Sequence, residues 1–327
     1  MSKVLVTGGM GFLGSSIVQR LKDLGEEVRI FANQSSKDKY GIIEQEEIVW
    51  GDIRDQVSVE EAVKGMDKVI HLVSNFRRVG SDKKEAYSIN VEGTDNVLNA
   101  SLKYGIKRLV HCSTIGVHGH VMEIPSNEES PYNPGDLYQE TKLAAEKRVW
   151  EFYRKTGLPI TVVRPISAIG PGDVRMLKLF RGIKKRIFFI IGKGEALFQP
   201  SYIDDIVDGF ILCLTHEKAI GEVFIVGGEE YVSLNELVGT IASELNVQPP
   251  KIRLPLPPLL FLASVCEKVC APFGIEPPLH RRRMSFFQNS RAFSVKKAKD
   301  VLGYQPKYTL REGVRKTISW YEENGFL

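Results

Sequence analysis

The chain has 327 residues, enough for one large core or two smaller ones. Its 43% hydrophobic and 26% charged content is that of an ordinary globular protein, and a net charge of +4 spread along the chain gives no footprint for nucleic acid. The longest apolar run, Leu259 to Cys266, falls far below the roughly 18–20 residues a bilayer span needs.

Met1-Ser2-Lys3 leads directly into Val4–Val6, a first strand, with no signal peptide ahead of it. Residues 3–14 read KVLVTGGMGFLG: the strand runs into Gly8-x-x-Gly11-x-x-Gly14, and a helix follows over Phe12–Leu24. A backbone without Cβ can pass close to a pyrophosphate, and a helix N-terminus offers N–H donors and a positive dipole. Gly8, Gly11, Phe12, Leu13 and Gly14 are therefore candidate cofactor contacts. A glycine triplet alone is weak, and its place at the first strand–helix turn is what makes the dinucleotide reading.

The second strand, Val28–Ala32, ends in Asn33-Gln34-Ser35-Ser36-Lys37. An acid here would bind a ribose 2′-OH and an arginine a 2′-phosphate. Neither is present; neutral Asn33 suits either cofactor, and the serines and Lys37 could receive a phosphate. NAD and NADP both stay open.

A helix over Val57–Lys64, a strand over Val69–Val73, a helix over Ala86–Lys103, a strand over Leu109–Ser113, a helix over Tyr138–Lys155 and a strand over Ile160–Arg164 follow. This alternation predicts an α/β fold: a Rossmann-type, doubly wound parallel sheet with ligands at the carboxyl ends of its strands. Gly170-Pro171-Gly172 marks a break, and 250–278 is rich in proline. Ser201–Leu214 reads as a helix and Glu222–Val226 as a further strand. The expected organisation is a dinucleotide-binding domain of 1–170 plus about 201–226. A smaller, mostly helical substrate cap takes 171–200 plus about 228–310, and 311–327 is a C-terminal helix. There is no internal repeat.

The four cysteines (Cys112, Cys213, Cys266, Cys270) make neither a disulfide framework nor a metal site, and no metal is expected. A reducing cytoplasmic setting follows. The basic clusters Lys184-Lys185-Arg186 and Arg281-Arg282-Arg283 read as solvated faces, with anion or membrane-surface contact as the other reading.

Tyr138 and Lys142 stand at i and i+4 on one helical face, and Asp136 with Gln139 resembles a capping box that starts the helix. A phenol with a pKa near 10 is too weakly acidic for a base at neutral pH, and a nearby ammonium and an oxidised nicotinamide would favour the phenolate. Of eleven tyrosines only Tyr138 has lysine at i+4, yet about one such pair is expected by chance, so the pair alone is not a site. His111-Cys112-Ser113-Thr114, at the end of a predicted strand, adds a hydroxyl able to hold a substrate oxygen.

Together these segments resemble the extended short-chain dehydrogenases/reductases, which include the NAD-dependent epimerase/dehydratases. The likeness rests on TGGMGFLG at 7–14, GDIRD at 51–55, HLVS at 71–74, NVEGT at 90–94 and CSTIGVHG at 112–119. It continues through YQETK at 138–142, RPISAIGPGD at 164–173, YIDD at 202–205, LGYQP at 302–306 and Trp320-Tyr321. The resemblance implies that Asp52 and Ile53 sit at the adenine and that Leu72, Val73, Ser74 and Ser113 line the cofactor, with Pro165 near the nicotinamide. It implies that Thr114, Tyr138 and Lys142 are catalytic and that Asn90 belongs to the proton relay or active-site architecture. The residues themselves leave open that Asn90 merely braces a helix, and His71 reads as structural. His118 stands where relatives often carry tyrosine. The resemblance also implies a homodimer through helices near 86–103 and 138–155.

Sugar-nucleotide relatives commonly carry asparagine after the Arg-Pro pair and an arginine before the Tyr-x-Asp-Asp segment. Here Ser167 and Phe198-Gln199 stand there, so a bidentate phosphate binder is missing. The apolar, proline-punctuated cap looks more like the branch of 3β-hydroxysteroid dehydrogenases and dihydroflavonol reductases, and Ser167 and Phe198 become candidate substrate contacts. Leu259–Cys266 reads as the inner face of a cap helix, or else as a weak interfacial contact aided by Arg281–Arg283. The leading expectation is an NAD(P)-dependent alcohol/ketone oxidoreductase acting on a moderately hydrophobic small molecule. A nucleotide-sugar epimerase or dehydratase with retained NAD is the second, and a non-catalytic dinucleotide-binding regulator the third.

Overall fold

The computed structural model describes residues 1–34, 47–76, 82–270 and 286–327. Ser35, Ser36, Lys37 and the Arg281–Arg283 cluster, with the roles expected of them, lie outside the described residues.

The first half alternates strand and helix: β1 (Lys3–Thr7), α1 (Phe12–Asp23), β2 (Glu27–Ala32), β3 (Glu47–Trp50), α2 (Gln56–Val63) and β4 (Lys68–His71). Then come α3 (Lys83–Tyr87), a π-turn at Ser88–Glu92, α4 (Gly93–Lys103), β5 (Arg108–Cys112), a 3₁₀ turn at Ile115–His118, α5 (Leu137–Thr156) and β6 (Ile160–Pro165). Seven strands form one sheet in the order β11-β6-β5-β4-β1-β2-β3, where β11 is Val223–Val226, and every pairing in it is parallel. Apart from the partly exposed edge strand β3, their β-branched and aliphatic residues are buried on both faces, as a doubly covered parallel sheet requires. The strand order reverses between β1 and β4, and the loops after these two strands open the crevice in which such sheets take ligands.

Between β6 and β11 lie β7 (Ser167–Ile169), α6 (Leu177–Lys184), β8 (Ile190–Ile191), β9 (Leu197–Phe198), β10 (Pro200–Tyr202) and α7 (Ile203–Thr215). After β11 come β12 (Val232–Ser233), α8 (Leu234–Glu244), β13 (Arg253–Leu254), α9 (Leu256–Cys270), α10 (Lys296–Leu302) and α11 (Leu310–Glu323). Three apolar clusters hold the molecule together. One packs α1 and α7 on one face of the sheet, one packs α2, α4 and α5 on the other, and the third joins α6, α8 and α11.

Four expectations change. Strand β3 was not expected; it is four residues long and completes the sheet edge beside β2. The helix expected over 86–103 is broken by the π-turn, which carries Asn90. Ser201 and Tyr202, expected to begin a helix, instead join Pro200 in pairing parallel with β7 before α7 starts at Ile203. Helix α9 turns Leu259, Leu260, Ala263 and Cys266 inward but is only partly covered: among these Ala263 alone is buried, while on the other side Phe261 is 70% and Val269 59% exposed.

Candidate active site

The turn after β1 is shaped by close backbone approach. Gly8 has φ +75°, and a Cβ on Gly14 would fall 2.2 Å from the Gly8 carbonyl oxygen. Gly11 is the N-cap of α1, with no side-chain hydrogen bond there and no acidic residue in the first turn. Its N–H groups and positive dipole are therefore offered to an anion. This cradle, which a side chain would fill, fits the diphosphate of a dinucleotide. Beside it, Asn33, Gln34, Trp50, Gly51 and Asp52 line a cavity of about 310 Å³. The Asp52 carboxylate accepts from Arg54 Nε at 2.9 Å, and that bond holds it below its ordinary range. Ile53 is buried under Gly93. Trp50 went unnoticed in the sequence because β3 did; no local signal marks it.

The end of β4 carries Leu72, Val73 and Ser74, each partly exposed. His71 beneath them bonds Thr7 Oγ1 (2.8 Å) and Thr94 Oγ1 (3.1 Å), and burial, with Lys142 nearby, depresses its pKa to about 3. It is a neutral structural group. Asn90, buried in the π-turn, accepts from the Asn75 N–H (2.6 Å) and donates to Thr141 Oγ1 (2.8 Å). It braces the loop after β4 to α5 rather than facing the cleft with a free amide.

Helix α5 starts where expected. Asp136 caps it by accepting from the Gln139 N–H at 2.9 Å, while the Gln139 side chain accepts from Gly135 N rather than Asp136 N, so the capping box is displaced by one residue. Tyr138, in the first turn, meets the Phe76 ring edge-on at 4.8 Å. One turn on, Lys142 is buried and donates to the Cys112 carbonyl at 2.6 Å, which ties it to the end of β5. Thr114 follows that strand end. Its Oγ1 accepts from Gly116 N (3.0 Å), which leaves the hydroxyl proton for another acceptor.

Ser113, expected at the cofactor, is buried and donates to Glu146 at 2.5 Å instead. Glu146 also binds Arg164, which is itself buried and donates to His118 Nε2 at 2.9 Å. Burial alone would push the Glu146 carboxyl up; Arg164, Ser113 and Tyr132 outweigh it and hold it below its ordinary value. Pro165 stays partly exposed and Ser167 is exposed, while Phe198 is buried against Phe286 at 4.7 Å and Gln199 against the 228 and 293 carbonyls. Phe198 is thus a member of the third apolar cluster, packed with residues of α8 and against Phe286. Glu146, Arg164, Phe76 and Arg175 escaped the sequence reading. The Arg175 guanidinium lies over Phe12 (4.8 Å) and Phe76 (5.9 Å), bridging the phosphate turn to the ring beside Tyr138.

A parallel doubly wound sheet with a glycine cradle at its first turn and a tyrosine–lysine helix at its carboxyl edge defines a dinucleotide-dependent enzyme. Residues 4–227 match the family described as "NAD dependent epimerase/dehydratase family", and the chain belongs to that family. Among curated relatives it is similar to a 3 beta-hydroxysteroid dehydrogenase/Delta 5-->4-isomerase of Mycobacterium tuberculosis, 28% identical over 98% of this chain and 90% of the relative. It is likewise similar to a decarboxylating sterol-4-alpha-carboxylate 3-dehydrogenase of Schizosaccharomyces pombe, 29% identical over 98% of each. Among solved structures it resembles the epimerase Mth375 of Methanothermobacter thermautotrophicus, with TM-score 0.82 and 26% identity, covering 99% of this chain and 93% of that one.

Proposed function

We propose that the protein is an NAD(P)-dependent oxidoreductase that moves a hydride between nicotinamide and the alcohol or ketone carbon of a moderately hydrophobic small molecule. The observation that carries this reading is that Lys142, one turn after Tyr138 on α5, is tied to the end of β5, the strand end that Thr114 follows, in a sheet whose first turn is the glycine cradle. The bound dinucleotide supplies the hydride donor or acceptor. The turn Gly8–Gly14 with Phe12 and Leu13 takes its diphosphate, and Asn33, Trp50, Asp52 and Ile53 hold the adenosine. Leu72, Val73, Ser74 and Pro165 line the nicotinamide end. Thr114 donates to the substrate oxygen, Tyr138 passes its phenolic proton to that oxygen or takes one from it, and Lys142 holds the ribose and favours the phenolate. Asn90 keeps the loop after β4 and α5 in register.

NAD is the favoured cofactor. The family description names NAD, and the Asp52 carboxylate in the wall of the adenosine cavity is already paired with Arg54. A fused-ring or alkyl secondary alcohol is the favoured substrate class, in keeping with the names of the steroid and sterol relatives. The likeness to the epimerase Mth375 supports the second reading, a nucleotide-sugar epimerase that retains its NAD. Against it, Phe198 and Gln199, standing where a phosphate-binding arginine would serve, are buried in internal contacts. Dehydrogenation of a panel of 3-hydroxysteroids and smaller secondary alcohols, followed as NADH absorbance, tests the first reading. Absence of turnover there, with conversion of a UDP- or dTDP-sugar, would establish the second.

We further assign 1–170 with about 201–226 to dinucleotide binding, 171–200 with about 228–310 to a substrate cap, and 311–327 to a C-terminal helix. The protein acts as a cytoplasmic homodimer joined through α4 and α5, without nucleic-acid partners. No helix among the described residues is long and apolar enough to cross a membrane. The exposed Phe261, Leu262, Val265 and Val269 of α9 support a weak interfacial contact instead.

A further inference from the structure

A buried charged cluster connects the three segments that carry the site. Arg164, on β6 directly before Pro165, is 1% exposed. Its guanidinium donates to Glu146 through Nε (3.1 Å) and Nη2 (2.5 Å), to His118 Nε2 (2.9 Å), to the Glu128 carbonyl (2.8 Å) and to Tyr132 Oη (2.8 Å). Glu146, on α5, also accepts from Ser113 Oγ (2.5 Å) and Tyr132 Oη (3.3 Å). Since Arg164 donates to His118 Nε2, that nitrogen is bare, and Nδ1 carries the proton it gives to the Pro131 carbonyl at 3.2 Å. Taking a carboxylate and a guanidinium out of water is costly, and an apolar pair of similar volume is often as stable or more so. Stability is thus a poor account of this pair.

Its neighbour on the helix gives a better one. Lys142 lies one turn before Glu146, is 2% exposed and has its ammonium against the Cys112 carbonyl. Burial drives Lys142 towards losing its proton; an ionised Cys112 would oppose that loss, and so does Glu146. The other groups that bear on Lys142 give it no counter-charge. Burial pushes the Cys112 thiol of β5 up to about 11, which leaves it uncharged at neutral pH. His71 on β4 and His111 on β5 are held neutral by burial. Tyr138, one turn the other way on α5, is the group Lys142 is there to serve. Among these groups Glu146 alone carries a negative charge at neutral pH, and Arg164 is what keeps it ionised against its own burial.

We propose that Glu146, fixed by Arg164, is the counter-charge that keeps the buried Lys142 an ammonium, so that the Ser113–Glu146–Arg164–His118 cluster is a positioning device for the Tyr138–Lys142 pair. It rests on the reading of Lys142 as the partner of Tyr138, and its own claim concerns only the proton on Lys142. A lysine that lost this counter-charge would neither hold ribose hydroxyls as a cation nor favour the phenolate.

The test is a pH titration of the full chain labelled with ¹³Cε-lysine, followed by NMR without cofactor or substrate, with the Lys142 signal identified by its loss in Lys142→Arg. In Glu146→Gln the Lys142 midpoint falls by about one pH unit or more, and Glu146→Asp, which keeps the charge, restores most of it. The charge-neutral double variant Glu146→Leu/Arg164→Met retains the fold and shows the same fall. NADH affinity, measured by fluorescence across pH, is lost at correspondingly lower pH in both neutral variants. An unchanged Lys142 midpoint in either folded neutral variant overturns the proposal, and failure of both to fold assigns the pair to stability instead. Absence of NADH binding in the unmodified protein would count against the proposed function and leave the lysine titration to decide this claim.

Discussion

Tyr138 stands in the first turn of α5 with Lys142 one turn behind it and Thr114 at the neighbouring strand end. If its phenol carries the proton, Tyr138→Phe should lower kcat by about 10²–10⁴-fold while NADH still binds, since the ring and its packing on Phe76 remain. Turnover measured beside NADH fluorescence titration checks this; retained turnover removes Tyr138 from the mechanism. The two histidines below the site act on stability. The folded pKa of His71 is about 3 against an ordinary 6.5, and that of His111 is depressed in the same direction. Unfolding therefore takes up protons between these values. The stabilising contribution of His71 is whole above pH 6.5 and is lost as pH falls towards 3, at about 1.4 kcal/mol per pH unit, and His111 acts in the same direction. Urea midpoints across that range should show the slope, and His71→Asn should flatten it.

At the scale of elements, the phosphate turn depends on two backbones passing almost in contact. Gly14→Ala would place its Cβ 2.2 Å from the Gly8 carbonyl oxygen, so the turn must open and α1 must shift. NADH binding is expected to be lost well before the fold, by comparison of fluorescence titration with thermal melting. The π-turn between α3 and α4 serves a different end. By adding a residue to the helical repeat it places Asn90 between the Asn75 N–H and Thr141. Asn90→Ala leaves the buried Asn75 N–H without its acceptor and should cost about 1–3 kcal/mol in denaturant unfolding. Its effect on kcat should exceed that on NADH affinity, because the loop and α5 lose register with each other.

Across the whole molecule, the sheet and helix α9 differ in how their apolar residues are covered. The inner sheet strands are buried on both faces, whereas α9 shows Phe261, Leu262, Val265 and Val269 to solvent. If that face contacts a lipid surface, Phe261→Glu/Val265→Glu should abolish sedimentation with anionic phospholipid vesicles and leave NADH binding intact. Equal sedimentation of the two proteins would dismiss the contact. That the run 259–266 also has an outer apolar side was not legible, because an apolar stretch looks the same whether it meets a core or a surface. Strand β3 was passed over for a related reason: four residues, Glu47–Trp50, carry too short a pattern to stand out, and only the edge of β2 makes them a strand.

The strand–helix alternation, the glycine turn and the Tyr138–Lys142 face were all legible in the order of the residues, because each depends on partners within a few positions along the chain. The capping of α5 by Asp136 was legible on the same ground. What the tertiary structure alone decided are the contacts between distant residues. Asn90 meets Thr141 across 51 positions, and Glu146 meets Arg164 across 18. Phe198 packs on Phe286, and the Ser113 hydroxyl donates to Glu146. Local pattern determines which face a side chain takes on its own element. Whether that face meets water, a cofactor or a buried counter-charge is settled by what the fold packs against it.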